Sequence, residues 1–168
     1  MTSKQPMRLL LLNGPNLNML GVREPKVYGS ATLPEIEAEL RERAALCGAE
    51  LLAFQSNSEG ELVTRVQEAR GQADGIIINP GAYTHTSIAL RDALAASGLP
   101  AVEVHLTNLY QRESFRRRSY TAGACLGVVM GFGKRSYVLA LDALMAHLQA
   151  SKGEASLEEG NTRGTEAE

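Results

Sequence analysis

Leu9-Leu10-Leu11-Leu12 is an unbroken apolar run of strand length between Arg8 and Asn13. A strand without polar alternation has to be covered on both faces, the usual condition of a parallel sheet with helices on either side. Gly75-Ile76-Ile77-Ile78-Asn79 has the same character and is stopped by Pro80-Gly81. Helical patterns lie between such runs. Thr32 and Glu35 stand at capping-box spacing with Pro34 in the first turn, and the helix they open runs towards Cys47-Gly48. Ser58 and Glu61 repeat the spacing before Leu62, Val66 and Ala69. A third helix spans Ser87 to Ala96, with Ile88, Leu90, Ala93 and Leu94 inward and Gly98 as its C-cap. A fourth spans Lys134 to Leu148. Glu50–Gln55, Ala101–Leu106 and Cys125–Gly131 read as the remaining strands.

Five buried strands separated by helices imply right-handed parallel crossovers. The pattern predicts an α/β fold: a three-layer, flavodoxin-like, five-stranded parallel sheet of order 2-1-3-4-5. The chain has 168 residues, is 44% hydrophobic and carries a formal net charge of −2. This suits one domain and excludes a largely disordered chain. It also argues against nucleic-acid or membrane binding through bulk charge. The domain is expected at residues 1–150, with 1–6 a flexible N-terminus. Residues 151–168 hold one large apolar residue, Leu157, with two basic and five acidic residues, and read as a disordered acidic tail. Met1–Pro6 lacks the apolar core of a signal peptide, and the run to Leu12 is far too short to cross a bilayer. A cytoplasmic location follows, with Cys47 and Cys125 as free, buried thiols.

In such sheets ligands bind beyond the carboxyl ends of the strands, where the strand order reverses. Polar residues collect there. Asn13 and Asn16 follow the first strand, and Asn79-Pro80-Gly81-Ala82-Tyr83-Thr84-His85-Thr86 follows the third. Glu103 and His105 end the fourth, two residues apart and therefore on one face, where a carboxylate can orient an imidazole. Arg112 and Arg116-Arg117-Arg118 come next. Each cluster alone has an ordinary structural reading; their convergence on one sheet edge points to a site. The connection from Gly14 to Ala31 is about 18 residues long where about 2–6 is usual, which marks a lid or binding loop. Its Tyr28 follows Arg23 and Lys26 closely.

Taken together, these stretches resemble the type II 3-dehydroquinate dehydratases. The resemblance runs from about Met7 to Leu148. It is carried by Leu12-Asn13-Gly14-Pro15-Asn16-Leu17-Asn18, by Leu20-Gly21-Val22-Arg23-Glu24-Pro25-Lys26-Val27-Tyr28-Gly29, and by Asn79 to Ser87. Glu103-Val104-His105-Leu106-Thr107-Asn108 and Arg112-Glu113-Ser114-Phe115-Arg116 complete it. It implies dehydration of 3-dehydroquinate to 3-dehydroshikimate through an enolate, without metal or cofactor. Tyr28 would be the base, as tyrosinate, with Arg23 the guanidinium that favours its ionised form. Asn16 would stabilise the enolate through a water, and His105 would be the general acid, oriented by Glu103. Asn79, His85 and Arg116 would bind ring hydroxyls. The amides of Leu106 and Thr107, with the Thr107 hydroxyl, would take the substrate carboxylate, and Arg112 would lie near the base. Asp92 would reach a neighbouring subunit's site, in a homododecamer built from trimers. Thr107 stands where many members have Ser, which keeps the hydroxyl and adds a methyl.

Two other readings compete. Gly131-Phe132-Gly133-Lys134 before a helix suits a phosphate, as in an FMN-binding module. His85, Glu103 and His105 form a two-His, one-carboxylate set of the kind that holds a metal in a hydrolase. A Schiff-base route to the same product needs a buried lysine, and neither Lys4, Lys26, Lys134 nor Lys152 reads as lying at a buried strand end.

Overall fold

The computed structural model describes residues 5–22 and 24–162, with the side chains of these apart from Pro25 and residues 154–162. The leucine run lies in β1, Met7–Asn13. After it come α1 (Pro25–Tyr28), α2 (Leu33–Leu46), β2 (Ala49–Gln55), α3 (Glu59–Ala69) and β3 (Gly75–Asn79). Then follow α4 (Ile88–Ser97), β4 (Ala101–His105), β5 (Gly127–Met130) and α5 (Arg135–Thr162). The strands form one parallel sheet of order β2-β1-β3-β4-β5, the flavodoxin-like α/β arrangement that the alternating pattern predicts.

The central strands are apolar throughout because each face meets a helical layer. Leu9 and Leu11 of β1 and Ile77 of β3 pack with α2 and α5, whereas Leu10, Leu12, Ile76 and Ile78 pack with α3 and α4. Fully burying one such side chain contributes about 1.5–3 kcal/mol, so the two half-cores hold the layers together. The edge strands β2 and β5 are only partly covered, unlike the five fully buried strands expected. Among the described residues no helix is long and apolar enough to cross a membrane.

Local signals are kept where a side chain has one obvious partner. At α2 the capping box forms: Glu35 N donates to Thr32 Oγ1 at 3.4 Å, and Thr32 N to Glu35 Oε2 at 2.8 Å. At α3 only half of it does. Ser58 Oγ accepts from Glu61 N, but the Glu61 carboxylate turns to the Ser56 hydroxyl, which also takes the Ser58 N–H.

Four boundary or burial expectations need correction. Ile88, at the first position of α4, is exposed, while Leu90, Ala93 and Leu94 face inward. β5 starts at Gly127 and not at Cys125, because Ala122–Ala124 form a 3-10 turn that Thr121 opens and Cys125 caps. Cys47 caps α2 and is exposed, whereas Cys125 is half-buried, its thiol pushed up to about 12 by burial first and by the Glu103 charge second. Finally, α5 does not stop near Leu148 but continues to Thr162, through part of the segment expected to be a disordered tail. That segment has no proline, and its Ala, Leu, Lys and Glu are good helix formers, so helical hydrogen bonding propagates through it. Residues 163–168 of the expected tail, and 1–4 of the expected N-terminus, lie outside the described residues.

Candidate active site

Two glycines bring the loops after β1 and β3 into backbone contact. A Cβ on Gly14 would lie 2.2 Å from the Pro80 carbonyl oxygen, and Gly81, at φ +57°, packs against Pro15 in the same way. Gly14 N also donates to the Asn79 carbonyl at 2.8 Å. Asn-Gly-Pro-Asn and Asn-Pro-Gly are thus two halves of one close approach. The turn puts Asn16 in the left-handed region at φ 67°, a conformation Asn tolerates better than most residues, and the Asn57 side chain accepts its N–H at 3.0 Å.

Beyond this contact, at the carboxyl edge of β1, β3 and β4, lies a cavity of about 180 Å³. Its walls include Asn16 from the loop after β1, Tyr28 from the end of α1, and Asn79 and His85 from β3 and the turn after it. His105, Leu106 and Thr107 come from the end of β4, and Arg112 and Arg116 from the turns that follow. Leu17, Met19, Leu20 and Leu109 form its apolar part. Among the described residues, two arginines line the cavity and no carboxylate does, so it favours an anionic ligand.

Tyr28 and Arg112 meet directly. Arg112 Nη1 donates to the Tyr28 hydroxyl at 3.2 Å and lies 3.4 Å from the Thr107 hydroxyl, with its guanidinium carbon 5.7 Å from the Tyr28 ring centre. The hydrogen bond to Tyr28 is the main reason the guanidinium sits further above its ordinary value. Arg116 is held on the other side by Glu113 at 3.2 Å. His85 Nδ1 donates to the Arg118 carbonyl at 2.7 Å; because a carbonyl only accepts, a neutral ring keeps its hydrogen there and presents Nε2 as an acceptor.

Glu103 does not line the cavity. It lies fully buried behind His105, whose Nε2 donates to Glu103 Oε1 at 2.6 Å. Three hydroxyls complete the carboxylate's shell: Thr84 and Ser119 donate to Oε1 at 2.7 and 2.9 Å, and Thr121 to Oε2 at 2.6 Å. Burial is the strongest single influence on this carboxyl and pushes it up. The hydrogen bond and charge of His105, with the Thr121 and Thr84 hydroxyls, outweigh burial and hold it below its ordinary value of 4.5. A carboxyl lowered by folding stabilises the fold above its unfolded value, and that stability is lost as pH falls through the lower folded value. Glu103→Gln is therefore expected to cost about 3 kcal/mol at pH 7. The gap between wild type and variant should stay flat from pH 8 to 6 and close below about pH 4.5, as read by urea unfolding across that range. A gap independent of pH would show that the charge of Glu103 is not what its shell stabilises.

Several residues lie where the motifs alone could not put them. Asp92 is exposed on α4 and does not line this chain's cavity. Arg23 lies outside the described residues. Thr84 lies within the Asn79–Ser87 motif, but nothing local marks its bond to Glu103. Ser119, Thr121 and Asn57 carried no signal, since they are far along the chain from what they hold. Among the described residues no group of three or more His, Cys, Asp or Glu is placed to hold a metal, so the His85, Glu103 and His105 set is not assembled as one. The Gly131–Lys134 turn is likewise engaged. Gly133 N donates to the Leu106 carbonyl, Phe132 N to Ser136 Oγ, and Lys134 pairs with Glu39 at 3.0 Å.

Known proteins match this chain over nearly the whole of its sheet and helices. The family model described as dehydroquinase class II matches residues 7–145. A 3-dehydroquinate dehydratase of Prochlorococcus marinus is 57% identical over 146 residues, covering 87% of this chain and 98% of the relative. One from a Synechococcus strain is 60% identical over 143 residues, covering 85% of this chain and 97% of the relative. The crystal structure of a type II dehydroquinase from Propionibacterium acnes superposes with a TM-score of 0.81 at 36% identity, covering 86% of this chain and 99% of that one. With the family model matched over residues 7–145 and relatives 57% and 60% identical across most of the chain, the chain belongs to the class II dehydroquinase family.

Proposed function

We propose that this chain dehydrates 3-dehydroquinate to 3-dehydroshikimate in the shikimate pathway, by an elimination through an enolate that needs neither metal nor cofactor. Family membership supports the reaction. The observation that carries the chemistry is one cavity holding the Tyr28 hydroxyl under the Arg112 guanidinium together with His105.

Tyr28, as tyrosinate, takes the proton from the carbon beside the ketone, and the C–H electron pair becomes the enolate. A guanidinium donating to a phenol oxygen stabilises its anion, which is the part assigned to Arg112 and to Arg23. Asn16 steadies the enolate oxygen through a bound water, in the manner of an oxyanion donor. The enolate then collapses to the conjugated ketone as the β-carbon–oxygen bond breaks. His105, as imidazolium, gives its proton to the departing hydroxyl, which leaves as water. Glu103 stays anionic and holds the ring by Nε2, so the proton that moves is the one on Nδ1. Passage of the proton from Tyr28 back to His105 through solvent restores both groups.

The binding roles fall to the rest of the wall. Asn79, Arg116 and the Nε2 of His85 take ring hydroxyls. The amides of Leu106 and Thr107 and the Thr107 hydroxyl take the carboxylate, with the two arginines favouring its charge. Asp92, exposed on α4 and away from its own cavity, reaches the site of a neighbouring copy in a trimer, four of which build a dodecamer in the cytoplasm. The test is the ultraviolet absorbance of the conjugated product. Adding 3-dehydroquinate to the purified protein is expected to produce it, before and after treatment with a chelator. Folded protein that produces none would overturn the proposal.

A further inference from the structure

Tyr137 is the third residue of α5, fully buried, and no step above uses it. Its ring packs in the half-core between α2, α5 and the sheet, among leucines. Burial pushes its phenol well above the ordinary value, so the hydroxyl stays protonated and can both donate and accept. It does both, at the ends of two adjacent strands. Tyr137 Oη donates to Asn13 Oδ1 at 2.8 Å and accepts from Asn79 Nδ2 at 2.8 Å. Asn13 and Asn79 are register partners on β1 and β3, and both are buried. Asn79 Oδ1 in turn accepts from Gly81 N at 3.1 Å.

These bonds run in one direction. A flipped Asn79 amide would aim its NH₂ group at the Gly81 N–H, donor against donor, so only one orientation satisfies both contacts. Of the four hydrogen-bonding positions on that amide, Tyr137 and Gly81 use one N–H and one lone pair. The second N–H is what Asn79 can offer to the cavity it lines. The arrangement costs stability elsewhere, because Asn13 Nδ2 is buried without a partner. A core phenylalanine would have filled the same space without asking Asn13 for an acceptor.

We propose that Tyr137 is a positioning residue for substrate binding, which together with the Gly81 N–H holds the Asn79 amide in the orientation that presents an N–H to a ring hydroxyl. The proposal rests on the binding role given to Asn79 above. Loss of the lock weakens a contact made equally in the ground and transition states, so it appears in KM and not in kcat. Tyr137→Phe is expected to raise KM by about 3- to 10-fold with kcat within about twofold, the effect of one hydrogen bond. In an Asn79→Ala background the same change should leave KM within about twofold, because nothing remains to be oriented. An equal rise in both backgrounds, or no rise in folded Tyr137→Phe, would overturn the proposal. If that variant does not fold, Asn13→Ala removes the acceptor that orients the Tyr137 hydroxyl, and the same pair of comparisons applies to it.

A second measurement does not depend on turnover. In ¹⁵N-labelled protein the two Asn79 side-chain amide hydrogens should be distinct and slow to exchange with water, and Tyr137→Phe should speed their exchange at least tenfold. Unchanged exchange would sink the lock even if the enzyme reading stands. Fast exchange in the variant together with a wild type that forms no product would leave the lock standing and remove the reaction.

Discussion

Replacing Tyr28 by Phe is expected to lower kcat by about 10²- to 10⁴-fold, the range that a well-placed general base supplies. The ring remains and the hydroxyl goes, so packing at the end of α1 is little disturbed, and Tyr28 is only partly buried there. What disappears is the oxygen that accepts from Arg112 at 3.2 Å. Arg112 keeps the Thr107 hydroxyl within 3.4 Å and Glu113 within 3.5 Å, so its guanidinium is not set loose. The loss should therefore fall on turnover, with KM changed by only a few-fold. Steady-state kinetics on 3-dehydroquinate, beside a thermal melt to verify folding, reads both quantities. Near wild-type turnover in a folded variant would remove Tyr28 from the role of base.

His105→Ala should produce a loss of similar order, about 10²- to 10⁴-fold in kcat, for a different reason. His105 is buried at the end of β4, with Nε2 committed to Glu103 at 2.6 Å. Removing the ring deletes the acid and leaves the departing hydroxyl to take its proton from water. It also takes one of four donors from a buried carboxylate that keeps three hydroxyls, so the variant should fold with reduced stability. Kinetics separates the two effects. A true acid role lowers kcat and kcat/KM together, whereas a change confined to KM would show that His105 only binds. Weakly basic small molecules such as imidazole should partly restore turnover to His105→Ala, and they should do nothing for Tyr28→Phe.

The two predictions share a structural basis. The proposed base and acid come from segments far apart in the chain, one on the long connection after β1 and one on β4, and the sheet edge brings them to a common wall. Between them the protein has arranged charge asymmetrically. The Tyr28 side carries a guanidinium, and behind His105 lies an anion shielded from the cavity.

The caps of α2 and α4 could be read in the chain because they depend on neighbours in sequence, and the two-sided burial of β1 and β3 because their runs lack polar alternation. The strand order followed from the alternation of buried strands and helices. A short apolar run without alternation suits a strand covered on both faces, and Thr32 followed by Glu35 suits a helix that begins there. Asn16, Asn79, His85, His105 and Arg112 were likewise legible as polar residues that end or follow strands on the same edge, whereas only the family resemblance put Tyr28 among them. Other features had no local mark. The shell of Glu103 draws Ser119 and Thr121 from a segment 16 and 18 residues further on. The bond from Tyr137 to Asn13 spans 124 residues. Hydropathy records that Tyr137 is to be buried, but not which oxygen its hydroxyl will meet.

The residues in order were enough to settle the layers, the direction of the strands and the edge where polar groups would gather, because periodicity and capping act over one or two turns of chain. Folding alone decided which donor faces which acceptor: that Glu103 retreats behind His105, that Arg112 covers Tyr28, and that Asn79 is held from the opposite layer. Hydrogen bonds are directional and act over about 3 Å, so their pairing is determined only once distant segments have been packed into contact.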